Sequence, residues 1–229
     1  MLVRLLRSAG IAALLAASAA LVTPSAFAQA DQQKIVDKSV ASLDDFMRDP
    51  QMKWLQQNMY RAKGVMIAPE VLKAGFIFGG SGGMATLVAR DPKSGKWVGP
   101  AFYGLATASV GFQAGVAVSE VVMLVMTDKG MNSLMTPSFK LGGDASVAAG
   151  PVGAGASGDV TSDLVAFARS KGVYGGVNLD GTVVNTADDY NAKYYGKKVQ
   201  SPDILIRQDV HAKGADKLRA AVAAAAAKK

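Results

Sequence analysis

The chain has 229 residues, no cysteine, a single histidine (His211) and a formal net charge of +7, with half of its residues hydrophobic. The lack of cysteine excludes disulfides, thiolate chemistry and a lipid-bearing N-terminal cysteine. One histidine and only two glutamates, Glu70 and Glu120, leave little for a metal site or an acid–base pair, so no cofactor, metal or catalysis is expected. The positive charge is diffuse: it suits anionic headgroups but lacks the clustering expected of a nucleic-acid binder.

Residues 1–28 differ in kind from the rest. Arg4 and Arg7 precede the apolar run "AGIAALLAASAALV", and Ala26-Phe27-Ala28 forms a small-x-small cleavage site. A signal peptide cleaved after Ala28 is expected, leaving residues 29–229 as one domain. Loss of Arg4 and Arg7 lowers the net charge to +5. The expected address is the periplasm or the exterior, with peripheral membrane association open. No later segment offers about 20 consecutive apolar residues.

Along the rest of the chain, residues 31–48 read as a helix with Val36, Val40, Leu43 and Met47 on one stripe. Asp49-Pro50 stops it and starts a second helix that runs to about Ala62, with Met52, Leu55 and Met59 inward. From Gly64 the period changes to two, and β-branched and aromatic runs separated by turn signals predict a meander of strands. "RDPKSGKW" reads as a hairpin loop, because Pro92 sets φ and Gly95 permits a left-handed residue. A short helix is expected over Asp128–Leu134. The small-residue stretch 141–158 is read as a strongly bent strand, "DLVAFARSKG" and "VYGGVNLDG" as further strands, and Ala187–Tyr195 and His211–Ala227 as helices. The fold class expected is α+β: a single domain with a curved, mostly antiparallel sheet or partial barrel, and helices at both termini.

The glycine-rich run "GFIFGGSGGMATLVAR" contains Gly80-x-Gly82-x-x-Ala85, which fits a dinucleotide-binding fingerprint. That chemistry needs a helix directly after the glycines to present its amides to a pyrophosphate. Here a strand-like run and then Asp91-Pro92 follow, leaving no room for it. The segment is therefore read as a hairpin turning through Gly79–Gly83, with no nucleotide partner. Asp188-Asp189 reads as a helix start rather than a metal site, and His211 lacks a nucleophile elbow around it.

Several blocks in order, "AKGVMIAPEVLKAGFIFGGSGG", "GKWVGPAFYGLATASVGFQAGVAVSEVVMLVMT", "KLGGDASVAAGPVG" and "FARSKGVYGGVNLDG", resemble the SYLF family, also called the Ysc84 actin-binding domain family. The resemblance runs from about Gly64 to Gly196, and more loosely across residues 31–227. It implies binding of phosphoinositides and other anionic lipids, as in eukaryotic members, with actin binding in the yeast-type proteins and no catalysis. Membrane binding in eukaryotic relatives is linked to a basic amphipathic N-terminal segment. Residues 31–49 here carry three basic and five acidic residues, a departure from that pattern.

The second helix is the alternative contact. Lys53, Arg61 and Lys63 accompany Trp54 and Tyr60, a combination suited to a membrane interface, although the same residues also fit a core-packing stripe with a solvated basic face. Glu120 lies inside an apolar run, where burial demands a partner. Arg169 and Lys171 are candidates for that partner or for phosphate contact; a structural ion pair is the preferred reading for Glu120, while the roles of Arg169 and Lys171 stay open. The function expected is a lipid-binding module for anionic phospholipids, such as phosphatidylglycerol or cardiolipin, at a membrane surface. The alternative is a protein-interaction or envelope-scaffold module with incidental lipid affinity.

Overall fold

The computed structural model describes residues 24–75, 78–110, 115–153, 160–170, 179 and 181–227. The first helix, α1 (Pro24–Arg48), buries Val36, Leu43 and Phe46 along one stripe. Asp49 ends it and caps the next turn, its carboxylate accepting from the Gln51 amide at 2.8 Å, with Pro50 at the first position. A 3-10 turn (Pro50–Met52), α2 (Lys53–Asn58) and a second 3-10 turn (Met59–Arg61) then replace the single helix expected to Ala62.

Four long strands form the centre of the sheet: β1 (Gly64–Gly75), β2 (Phe78–Arg90), β3 (Trp97–Val110) and β4 (Gly115–Val125). The helix α3 (Asp128–Leu134) has the bounds expected, and Thr127 caps it by accepting from the Gly130 amide. Short strands β5 (Ser138–Lys140) and β6 (Val147–Ala149), then β7 (Leu164–Ser170) and β8 (Val183–Thr186), complete a sheet of order β5-β8-β3-β2-β1-β4-β7-β6. Every pair is antiparallel except β6 with β7. The helices α4 (Asp188–Tyr195), α5 (Ser201–Leu205) and α6 (Asp216–Ala227) follow, the last preceded by a 3-10 turn at Lys213–Ala215. The molecule is thus one α+β domain, a curled eight-stranded half-barrel with helices at both ends of the chain. No described helix is long and apolar enough to cross a membrane.

The sheet buries both faces. On one, Val65, Ile67, Val88, Phe102, Val122, Leu124, Val165 and Phe167 pack under α1, α2 and α6. On the other, inside the curl, Met66, Leu87, Tyr103, Met123 and Leu164 meet Leu134 of α3 and Ile204 and Leu205 of α5. Strand alternation directs successive residues to these two cores, so the β-branched runs serve both at once.

Three expectations are corrected. Gly79–Gly83 do not form a turn: they lie within β2, paired to β1 and β3, and the reversal falls between the partners Gly75 and Gly79. Pro69 is the reason this was hard to read. It sits where β1 bulges, between the pairs Ile67↔Thr86 and Glu70↔Met84, so a single strand looks like two. The glycine at 83 answers the bulge, because a Cβ there would overlap the Glu70 carbonyl oxygen. Nor is 141–158 one bent strand: residues 141–145 form a turn closed by a Leu141–Ala145 bridge, Val147–Ala149 form the strand β6, and residues 154–159 lie outside those described. The last helix starts at Asp216 rather than His211. The expected strand at 173–181 falls almost wholly outside the described residues, while β8 and α5 were not anticipated.

The bulge separates the glycines by consequence. A Cβ at Gly82 would stand 3.3 Å from the Leu105 carbonyl, which a small shift relieves. Gly83→Ala is therefore expected to lower the melting temperature by several degrees, equivalent to about 1–3 kcal/mol, and Gly82→Ala by much less. Equal losses in calorimetry would contradict this placement of the bulge.

Candidate interaction surface

The antiparallel meander places the start of β1 and β3 and the end of β2 and β4 at one edge of the sheet, and the chain enters that edge from the second 3-10 turn. Backbone hydrogen bonds tie the junction: the Lys63 amide donates to the Val125 carbonyl and the Arg90 amide to the Lys63 carbonyl, both at 2.8 Å. Here Arg61 and Lys63 adjoin Arg90, the hairpin lysines Lys93 and Lys96 follow Arg90 in the chain, and Lys53 stands on α2. Of these only Lys63 is half-buried, the rest being exposed. The Lys63 ammonium pairs with Asp128 at 2.8 Å, and Arg61 donates to the Asn58 side chain at 3.0 Å. Arg90 donates to the Tyr60 carbonyl at 3.0 Å while its guanidinium lies 5.5 Å from the centre of the Trp97 ring. Lys129, at the start of α3, extends the same basic end.

The aromatics expected beside these cations separate. Tyr60 is 41% exposed, whereas Trp54 is buried and stacks on Phe167 with ring centres 5.8 Å apart. Trp54 therefore belongs to the core under α2 and is withdrawn from the expected interfacial set. The physical reason is the shortness of α2: a six-residue helix pinned between 3-10 turns presents Trp54 and Leu55 together to the sheet. Sequence reading missed Arg90, Lys93, Lys96 and Lys129. The signal available was the basic composition of the "RDPKSGKW" hairpin, but its place beside Lys63 depends on the β1–β2 register.

Arg169 lies elsewhere, on the helix-covered face. The β4–β7 register sets it directly across from Glu120. Its Nε donates to Glu120 Oε2 at 2.8 Å, its Nη2 reaches both Glu120 and Asp45 of α1 (2.7 Å to Asp45), and its guanidinium lies 5.5 Å from the centre of the Phe46 ring. The Ser42 hydroxyl donates to the other Glu120 oxygen at 2.6 Å. Burial draws the Arg169 pKa down, but Asp45 and Glu120 together hold it above its ordinary value. With each of its charged neighbours engaged, this group ties α1 to β4 and β7. Lys171 lies outside the described residues.

Beside the basic end, a cleft of about 420 Å³ is lined by Arg61, Thr127, Ser146, Thr161, Ser162 and Asp163, together with Met126 and Val160. Asp163 forms its floor. Its carboxylate accepts from the Thr127 hydroxyl at 2.6 Å and from the Ser146 amide and hydroxyl at 2.9 and 2.8 Å, with Lys129 at 3.4 Å. The Thr127 bond chiefly, then those from Ser146 and Lys129, lower its pKa to about 2 against the opposing effect of burial. Asp163 thereby clasps the α3 cap to β6 and β7, a role with no motif in the sequence. Among the described residues no cluster of three or more acidic or histidine side chains is placed to hold a metal.

A carboxylate whose folded pKa is depressed adds stability above its unfolded value of roughly 4, and that contribution fades as pH falls through the folded value. Asp163→Asn is expected to cost about 1–3 kcal/mol at pH 7, with the deficit narrowing between about pH 4 and pH 2. Urea unfolding of both proteins across that range checks it; a deficit independent of pH would place the cost in packing instead.

The Ysc84 family model, described as Las17-binding protein actin regulator, matches residues 106–225. Similar proteins include the human SH3 domain-containing YSC84-like protein 1, 33% identical over 150 residues that cover 63% of this chain and 43% of that protein. Protein YSC84 of Saccharomyces cerevisiae is 36% identical over 152 residues, covering 63% of this chain and 32% of its own length. LAS seventeen-binding protein 3 from the same yeast is 34% identical over 152 residues, with 63% and 33% covered. The chain thus spans less than half the length of these curated relatives. With more than half of its residues matched by the family model, the chain belongs to the Ysc84 (SYLF) family.

Proposed function

We propose that the chain is a non-catalytic interaction module that sets its basic end against an acidic macromolecular surface, with a protein partner as the first reading. The observation that carries it is the placement of Arg61, Lys63 and Arg90 together at one end of the sheet, with Lys93 and Lys96 on the adjoining hairpin and Lys53 exposed on α2, Lys63 being paired with Asp128. Long, exposed cations anchored on strand ends and a short hairpin steer an acidic partner and fix its register. The names of the relatives, which refer to Las17 binding and actin regulation, support a protein partner. Anionic phospholipid is the second reading, favoured by the exposure of Tyr60 next to Arg61. Export after Ala28 and a periplasmic or secreted address belong to the same proposal, and there the acidic surface is an envelope protein or an anionic lipid.

Residues 29–229 and a variant with Lys53, Arg61 and Lys63 all changed to Gln separate these readings. Sedimentation with actin filaments, and separately with vesicles of phosphatidylcholine with or without phosphatidylglycerol, supplies acidic protein and lipid surfaces. The triple change removes about 1 kcal/mol per cation near an anionic surface, so binding is expected to fall up to about a hundredfold at low salt, with little change in melting temperature. Loss on filaments supports the protein reading, and loss confined to phosphatidylglycerol vesicles supports the lipid reading. Undiminished binding by the variant would remove this surface from both.

A further inference from the structure

At the foot of the β2–β3 hairpin the chain leaves a gap against the C-terminal helix. Arg90 and Trp97 are the last register pair of the hairpin, so both side chains rise from the same face, the Arg90 guanidinium over the Trp97 ring. The helix α6 turns Leu218 and Val222 fully into the core, which leaves Ala220, Ala223 and Ala227 exposed on its other side at helical spacing. Arg219 pins α6 to the start of β3: it donates to the Gly99 carbonyl at 2.6 Å and to the Ala212 carbonyl at 3.1 Å, and it pairs with Asp216. Between hairpin and helix lies an open cleft of about 440 Å³, lined by Arg90, Gly95, Lys96, Trp97, Arg219 and the alanines of α6.

We propose that this cleft takes an acidic peptide segment of a protein partner, with a carboxylate on the Arg90 and Lys96 side and an apolar side chain against the alanines. Charge selects the anion. No carboxylate lines the cleft. The acids closest to it in the chain are engaged: Asp91 accepts from the Lys93 amide and from the Ser94 amide and hydroxyl, and Asp216 from Arg219. Lys96 pairs with no acid among the described residues. Of the Arg90 nitrogens, Nη1 is used on the Tyr60 carbonyl, while Nε and Nη2 donate to no described residue. That free edge of the guanidinium is the one that takes a carboxylate through two parallel bonds. The second observation is Trp97, which is 8% exposed although its indole N–H donates to no described residue. A buried indole ordinarily finds an acceptor. Nor is its nitrogen fully enclosed, as the unpartnered Gln32 Oε1 is, so it stays open to solvent, and a peptide carbonyl entering the cleft supplies the missing acceptor. The helix wall selects a peptide over a bare anion. Ala220, Ala223 and Ala227 form an apolar strip about 10 Å long, which a small anion leaves uncovered and a peptide side chain covers.

The inference rests on the protein-partner reading of the basic end and names where that partner is gripped; it uses none of Lys53, Arg61 and Lys63, so the two fail separately. The chain has two tryptophans, and Trp54 is stacked on Phe167 in the core. Heteronuclear NMR of residues 29–229 therefore shows two indole signals, and Trp97→Phe identifies the one in the cleft. The probe is the peptide Ser-Gly-Asp-Glu-Phe-Asp-Glu-Gly-Ser, capped at both ends. The expected result is a saturable shift of the Trp97 indole signal with the Trp54 signal unmoved. Ala223→Glu, which sets a carboxylate in the cleft, is expected to weaken binding at least tenfold. Ala224→Glu, the same charge on an exposed alanine outside the lining, should change it by about twofold or less. Ala223→Lys, filling the same space with the opposite charge, should bind at least as tightly as the parent. Both alanines are exposed on a helix, so the melting temperature is expected to hold. The Lys53, Arg61 and Lys63 triple Gln variant should still show the Trp97 shift, whatever its behaviour toward filaments or vesicles. A Trp97 signal that ignores millimolar peptide overturns the proposal, as does equal weakening by Ala223→Glu and Ala224→Glu. So does an equal shift with the peptide carrying Asn and Gln in place of its acids, or with inorganic phosphate or phosphatidylglycerol vesicles, since each assigns the cleft to a different occupant.

Discussion

The interaction on which the rest of this structure depends is the line of polar contacts by which α1 is laid across the sheet. Lys38, Ser39, Ser42 and Asp45 fall on one side of the helix and reach β1, β2, β4 and β7 in turn. The inner members are the more demanding. Ser39 and Thr86 are fully buried, with Thr86 donating to the Ser39 hydroxyl at 3.0 Å and Ser39 donating back to the Ile35 carbonyl at 2.8 Å. Arg169 is largely shielded, and a shielded guanidinium left without its carboxylates is costly, which is why such a group specifies one position for the helix more strongly than apolar contact does. Apolar burial under α1 supplies the larger stabilisation but tolerates sliding; the hydrogen bonds do not.

That placement divides the molecule. Toward one edge, α1, α2 and α6 cover the sheet and the chain gathers its cations, held by backbone bonds among Lys63, Arg90 and Val125. Toward the other, the same strands run on with Lys73 as the one charged residue among those described and with Leu72, Val116 and Val118 exposed. The two ends differ in the forces they offer: charge acts at a distance and weakens with salt, whereas exposed apolar side chains act on contact and do not.

Much of this architecture was legible in the sequence, and the failures have identifiable causes. Period-two runs located β1–β4 and β7, the Thr127 cap located α3 and the Asp188-Asp189 start located α4, because those signals are local. Pro69 split β1 because a proline at a bulge is indistinguishable from a strand break until the register is known. The glycines of β2 resembled a turn for the same reason: their need is a close cross-strand neighbour, which only the fold supplies. At the candidate surface, Lys53, Arg61 and Lys63 were visible as a local cluster, but Arg90, Lys93 and Lys96 join them through strand pairing. Trp54 was misplaced because a helical stripe does not say which of two neighbouring aromatics turns inward. Asp163 carried no local signal, since Thr127 and Ser146 reach it from separate elements.

The most direct test of the central claim is hydrogen exchange in α1 when the line of contacts is cut at Glu120. Glu120→Gln keeps the shape of the side chain but leaves Arg169 with Asp45 as its remaining carboxylate partner. If these contacts hold the helix in place, amides of residues 38–48 should exchange about tenfold or more faster, equivalent to about 1.4 kcal/mol of local stability, while those at the centre of β1 and β2 keep their protection. Unchanged exchange in α1, or an equal rise throughout the sheet, would show that the helix is held by apolar packing alone.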